Sequence, residues 1–248
     1  VRKRRDDEKD RRAERKGGAK KRQLVLADRI GFCFGVKRAF NIAEDAIRGE
    51  KQVYSLGPLI HNSQVVRDLS QKGLKAVKDP ARIKKGAVVI PSHGVSPSIV
   101  HGLVSKGLRI IDATCPFVRK ARETARDLSR ADFTVVIVGD SGHPEVKAIL
   151  GSVGGRVLVV KDAKAARLLK FRAGEKVSVI SQTTQSPENF AAAVRVIAAK
   201  RPARLKIVST ICRDAEIRQD AARRAAESAD AMIVIGGHDS ANTRRLVE

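Results

Sequence analysis

Short apolar runs rich in Val and Ile alternate along this chain with longer segments whose apolar residues recur every three or four positions. The runs are QLVLA, KQVYSL, AVVIPS, RIIDAT, TVVIVG, RVLVV, KVSVIS, LKIVST and AMIVIG. Such runs between turn residues predict strands, and the periodic segments between them predict helices. Their alternation predicts an α/β fold with mostly parallel sheets. The predicted strands run into loops rich in Gly, Ser, Thr and His: GPLIHN, SHGVSP, GDSGHPEV, SQTTQS and GGHDSANT. Ligands of open α/β folds bind at these carboxyl ends, so the polar residues there are site candidates.

Three of the alternations carry a further mark. The only cysteines of the chain, Cys33, Cys115 and Cys212, each stand where a strand-like run hands over to a helical pattern, in LVLADRIGFC, LRIIDATC and LKIVSTIC. A unit repeated in this way predicts three small α/β lobes in a pseudo-threefold arrangement around a shared centre. The divisions are 23–118, 119–210 and 211–248, with the first strand, 23–33, pairing with the third lobe. The last unit looks cut short, and a first residue of Val points to an alternative start codon or a partial chain. A thiol at a helix N-terminus meets unpaired amides and the positive dipole end, which lower its pKa and suit it to ligating metal. The CxxC pairs of structural zinc sites and the clustered cysteines of bacterial ferredoxins are absent. Three thiolates on an iron–sulfur cube would leave one iron open to substrate.

Composition narrows the partners. The formal charge is +23, of which residues 1–22 supply +7, from twelve Lys or Arg against five Asp or Glu. That segment has almost no apolar content and predicts a basic, disordered arm. The charge favours anions: a diphosphate, an acidic protein or nucleic acid. One Tyr, seven Phe and no Trp leave little for base stacking, so nucleic acid is the least favoured. With no apolar run near the ~20 residues of a membrane span and no apolar leader, the expectation is a soluble cytoplasmic protein with reduced thiols. The oligomeric state is not legible.

The loop residues supply candidate chemistry. His61, His93 and His143 follow three different apolar runs, and their recurrence predicts a shared polar pocket. Glu145, after Pro144 at a predicted helix start, is a carboxyl able to relay a proton beside His143. Thr183 and Thr184 are hydroxyl donors at a strand end, and Ser240 and Asn242 suit a helix cap or phosphate contacts.

Together, GFCFGVKRA, LIHN, SHGV, DATCP, GHPEV, QTTQS, STIC and SANTRRL resemble the 4-hydroxy-3-methylbut-2-enyl diphosphate reductase family, also called IspH or LytB, in order from about Leu24 to Glu248. The resemblance implies three α/β lobes around a 4Fe-4S cluster held by Cys33, Cys115 and Cys212. It implies two-electron reductive dehydroxylation of an allylic diphosphate to isopentenyl and dimethylallyl diphosphates, the last step of the methylerythritol phosphate pathway. His61, His93, Ser240 and Asn242 would bind the diphosphate, and His143 would lie near substrate and cluster. Glu145 would deliver protons, with Thr183 in the relay beside it. A ferredoxin or flavodoxin would supply electrons to a basic docking face.

Two positions depart from the family pattern. After the third cysteine the chain reads Arg-Asp-Ala-Glu, placing Ala215 where a hydroxyl is expected, and Ala241 replaces the second serine of the usual Ser-Ser-Asn. Both changes remove hydrogen-bond donors. They favour a competing reading, a noncatalytic paralogue that keeps the cluster as an electron carrier or sensor.

Overall fold

The computed structural model describes residues 23–248; the predicted basic arm, 1–22, lies outside them. Two four-stranded sheets, every pairing parallel, organise the chain. The first contains β1 (Val53–Leu56), β2 (Leu74–Val77), β3 (Ala87–Ile90) and β4 (Arg109–Asp112) in the order β2-β1-β3-β4. The second contains β5 (Thr134–Val138), β6 (Val157–Val160), β7 (Lys176–Ser181) and β8 (Arg204–Ile207) in the order β6-β5-β7-β8. Both sheets therefore wind identically: the second strand joins one side of the first, and the third and fourth extend the other.

Alternating side chains cover both faces of each sheet. In β3, Val89 packs with Ala39, Ala43 and Ala46 of α1 (Phe34–Gly49), whereas Val88 and Ile90 face Leu103 of α3 (Pro97–Val104). In β5, Val136 and Val138 face Phe190, Ala193 and Ile197 of α7 (Pro187–Ala199). Val135 and Ile137 meet Ala121, Ala125 and Leu128 of α4 (Pro116–Arg130) and Ile149 of α5 (Pro144–Leu150). A parallel strand buried on both faces must be apolar throughout, as the fully buried TVVIV of β5 shows. Two further helices, α2 (Ser63–Gln71) and α6 (Ala163–Arg167), complete the crossovers.

The α/β class with parallel sheets agrees with the sequence reading, but three strand assignments change. The segment LKAV forms β2 although its burial alternates too weakly to stand out: only Leu74 is buried. QLVLA and AMIVIG form no strand. All the ladder bonds of a strand go to a neighbouring strand, and among the described residues neither run has one. Their side chains are correspondingly open, Leu24 at 87% exposure and Ile235 at 92%. The predicted pairing of 23–33 is thus not a ladder. Instead, Arg218 in α8 (Arg213–Glu227) donates to the Gly31 carbonyl at 2.7 Å, and Arg224 reaches Asp28 at 3.3 Å. A last helix, α9 (Ala241–Val247), follows. Among the described residues no helix is long and apolar enough to cross a membrane.

Candidate functional site

In each sheet the winding reverses between its first and third strands, and the crevice beyond their carboxyl ends is where open α/β sheets bind ligands. In the first sheet those ends lead to His61, after β1, and His93, after β3. In the second they lead to His143, after β5, and Thr183, after β7. The two crevices face each other. The His61 and His93 rings stack at 5.1 Å between centroids, and His61 lies 5.2 Å from His143.

Burial holds these imidazoles neutral. It lowers the pKa of His93 to about 3 and that of His143 to about 4, and in each case a neighbouring histidine adds to the effect; burial also lowers the pKa of His61. Nδ1 of His143 accepts the Glu145 amide at 3.2 Å and so caps α5. His61 Nε2 and His93 Nδ1 are buried with no hydrogen-bond partner, as is Thr114 Oγ1. Buried polar atoms are rarely left unmatched in a native protein. The pocket therefore fits an oxygen-rich ligand able to accept or donate at several points.

Glu145 is 2% exposed, and both its oxygens are held by one residue: Thr183 donates its amide to Oε1 and its hydroxyl to Oε2, each at 2.7 Å. Desolvation raises the carboxyl pKa to about 7 against the opposing pull of those two bonds. A group with that value carries its proton at neutral pH in a substantial fraction of molecules and can give it up, as a general acid requires. Gln182 braces the pair, its Oε1 accepting from the Asp140 amide at 3.0 Å and its Nε2 donating to Thr184 at 2.8 Å. Thr184 itself supports this brace rather than the carboxyl.

The three cysteines cap the N-termini of α1, α4 and α8. Cys115 leaves the first sheet after β4, Cys212 leaves the second after β8, and Cys33 ends the 23–32 segment. A Cβ added to Gly35 would lie 2.5 Å from the Cys115 sulfur and 4.0 Å from that of Cys33, so a residue without a side chain lets these thiols share one space. Cys33 and Cys115 both act electrostatically on Cys212, and Cys33 and Glu145 act on Cys115. The expected lowering of thiol pKa is not met at Cys115 and Cys212: burial raises both, outweighing the amides of Phe117 and Val118 and of Ala215 and Asp214 respectively. Among the described residues no three ligating side chains close on a single ion. Three soft thiols facing a common space wider than one ion match an iron–sulfur cluster better than zinc.

Ser240 caps α9, accepting from the Thr243 amide at 3.2 Å, and Asn242 lies in the first turn. The preceding loop packs on the histidine pocket: a Cβ at Gly237 would lie 2.5 Å from the His61 carbonyl oxygen. Ser240 and Asn242 thus belong to an element that touches the pocket's rim. Ala241 and Ala215 are buried, as expected for methyl groups where hydroxyls would need partners. Sequence reasoning missed Gln182 and Thr114. Gln182 and Thr114 had a signal, each standing at a strand's carboxyl end beside a chosen residue.

Fold and site together define an α/β protein of repeated parallel-sheet units, with a three-thiol centre next to a neutral-histidine pocket and a proton-holding carboxyl. Comparison with known proteins is specific. The LytB protein family model matches residues 24–248, and the chain belongs to this family. It is 44% identical to the 4-hydroxy-3-methylbut-2-enyl diphosphate reductase of Geobacter metallireducens, covering 91% of this chain and 79% of that protein. To the reductase of Geobacter sulfurreducens it is 45% identical, with the same coverages of 91% and 79%. A solved (E)-4-hydroxy-3-methyl-but-2-enyl diphosphate reductase, the terminal enzyme of the non-mevalonate pathway, superposes with a TM-score of 0.70 at 39% identity, over 90% of this chain and 80% of that one. The Plasmodium falciparum reductase gives 0.83 at 26% identity, over 89% and 70%.

Proposed function

We propose that this chain reduces 4-hydroxy-3-methylbut-2-enyl diphosphate to isopentenyl and dimethylallyl diphosphates. The reaction takes up two electrons and two protons; the allylic C–O bond breaks, one proton completes a water molecule and the other ends on carbon. The observation that carries this reading is the proton-holding Glu145, fixed by Thr183 between the histidine pocket and the thiol centre. Membership of the family and the identity to its reductases support it independently.

Cys33, Cys115 and Cys212 would hold a 4Fe-4S cluster, which when bound supplies the electrons and an open iron. The remaining work falls to the protein's own groups. His61 and His93 offer the diphosphate their unmatched nitrogens, joined by Ser240 and Asn242 from the rim. His143 orients Glu145 through its amide, and Glu145 gives its proton toward the leaving hydroxyl. Thr183 keeps both carboxyl oxygens in place and can pass the proton on through its hydroxyl. Burial of these groups excludes water from the transfer path.

The lobes 23–118, 119–210 and 211–248 would then assemble around one centre, with a ferredoxin or flavodoxin delivering electrons to the basic exterior and the protein working in the cytoplasm. Ala215 and Ala241 favour one second reading, a noncatalytic paralogue retaining the cluster. Anaerobic reconstitution followed by assay of substrate consumption with a strong chemical reductant tests both. Turnover supports the reductase; a loaded cluster without turnover supports the paralogue.

A further inference from the structure

The candidate residues of the histidine pocket offer hydrogen bonds but, by themselves, no positive charge; Arg38 and Arg122 nearby are engaged with the Thr114 and Val95 carbonyls. His93 and His143 are neutral at any physiological pH, and burial disfavours the charged form of His61 as well. Ser240 and Asn242 are uncharged. A diphosphate brings several negative charges, and an anion taken out of water is stable only when paired. The proposed function therefore lacks one component, which a residue outside the candidate set can supply.

We propose that Arg244 is a diphosphate-binding residue of this chain, placed at the pocket mouth between His61 and His143. The proposal rests on the reductase reading for its ligand and on the following geometry for its residue. Arg244 lies one turn after Ser240, its amide donating to the Ser240 carbonyl at 3.1 Å. Its guanidinium reaches from α9 to the loop that carries His143, where it stands 3.9 Å from Asp140 Oδ2. It therefore spans the two crevices. Its charge is felt at both His61 and His143, helping to keep each unprotonated. The contact with Asp140 is too long for a hydrogen bond, and both side chains are about half exposed, so it holds the guanidinium weakly. The neighbouring Arg245 is committed elsewhere, bonding Glu248 at 2.5 Å. Within the pocket, His61 Nε2 and His93 Nδ1 are buried and unpartnered, which marks it as built for a polar ligand. A planar guanidinium binds phosphate oxygens bidentately, a contact stronger than the hydroxyl that Ala241 lacks.

Inorganic pyrophosphate is the probe, titrated by calorimetry into the full, cluster-reconstituted chain. Arg244→Gln is expected to weaken pyrophosphate about 10- to 100-fold and to flatten the salt dependence of binding, while iron content and melting temperature stay unchanged. Arg244→Lys should recover part of the loss. Asp140→Asn, which keeps the oxygen that accepts from Gly142 but removes the competing charge, should tighten binding. In turnover, Arg244→Gln should raise KM by a similar factor and leave kcat within about twofold, because the contact is made equally in ground and transition states. The inference is overturned if pyrophosphate affinity in Arg244→Gln stays within twofold of the parent, or if the parent fails to bind pyrophosphate at millimolar concentration. Pyrophosphate binding that depends on Arg244 in a protein without turnover would sink the reductase reading and leave this assignment standing. Turnover with an unchanged KM in Arg244→Gln would do the reverse.

Discussion

The Cys212 amide donates to the Thr183 carbonyl at 2.8 Å, and the same threonine holds both oxygens of Glu145. One residue thereby ties the third thiol to the buried carboxyl through three hydrogen bonds. The buried carboxyl and the third thiol are thus anchored to the same residue rather than being merely neighbours in a pocket.

Glu145→Gln keeps an oxygen for the Thr183 amide but removes the transferable proton. Turnover should fall by two to four orders of magnitude, on the ~10²–10⁴ scale of general acid catalysis, with iron content and KM near the parent's. In the parent, kcat should decline as pH rises above about 7, where the carboxyl loses its proton. A pH-independent kcat would remove Glu145 from the proton path.

The same groups shape stability against pH in opposite senses. His93 and His143 have folded pKa values of about 3 and about 4, below their ordinary 6.5, so between those values and 6.5 the unfolded chain binds more protons. Their contribution is fully present above 6.5 and is lost as pH falls toward 3. Glu145 is raised from 4.5 to about 7, so its contribution is present below 4.5 and is lost as pH rises through 7. Urea unfolding at several pH values should show His93→Gln flattening the acid limb and Glu145→Gln flattening the loss between 4.5 and 7.

Replacing an ordinary helical glycine by alanine stabilises a helix by roughly 0.5–1 kcal/mol. At Gly35 the added methyl would meet the Cys115 sulfur at 2.5 Å. Gly35→Ala should therefore lower the melting temperature and reduce iron uptake on reconstitution, measured by iron assay and visible absorbance. Single Cys→Ser changes at 33, 115 or 212 should reduce iron content more severely. Full iron loading in any of the three would exclude that thiol as a ligand.

Ala241→Ser restores a hydroxyl on the rim of the pocket. If that donor contributes to diphosphate binding, KM should fall about tenfold or more, the scale of one hydrogen bond to a charged group. An unchanged KM would mean that the rim at 241 does not touch the ligand.

Much of this arrangement was legible in the sequence because its signals are local. A buried parallel strand must be apolar, so TVVIV and AVVI announced themselves, and a cysteine between such a run and a helical pattern could be placed at a helix start. LKAV was missed because three of its four residues are not buried. QLVLA and AMIVIG looked like strands because composition records apolarity but not the presence of a neighbour to bond. The thiol pKa values could not be read either: the amides are visible in the pattern, but the burial that outweighs them is a property of the assembled fold. Arg244 was invisible for a similar reason, since its relation to His61 and His143 exists only once two distant loops face each other.

The identical winding of the two sheets has an evolutionary consequence. When a unit is copied, the copies can specialise: under the proposed function one would supply His61 and His93 to grip an anion while the other would supply His143, Glu145 and Thr183 to manage protons. A lineage can then retune its grip without touching its chemistry. Of the two departures from the family pattern, Ala241 lies on α9, an element outside the two copies whose preceding loop packs on His61, whereas Ala215 lies on α8 in the first turn after Cys212.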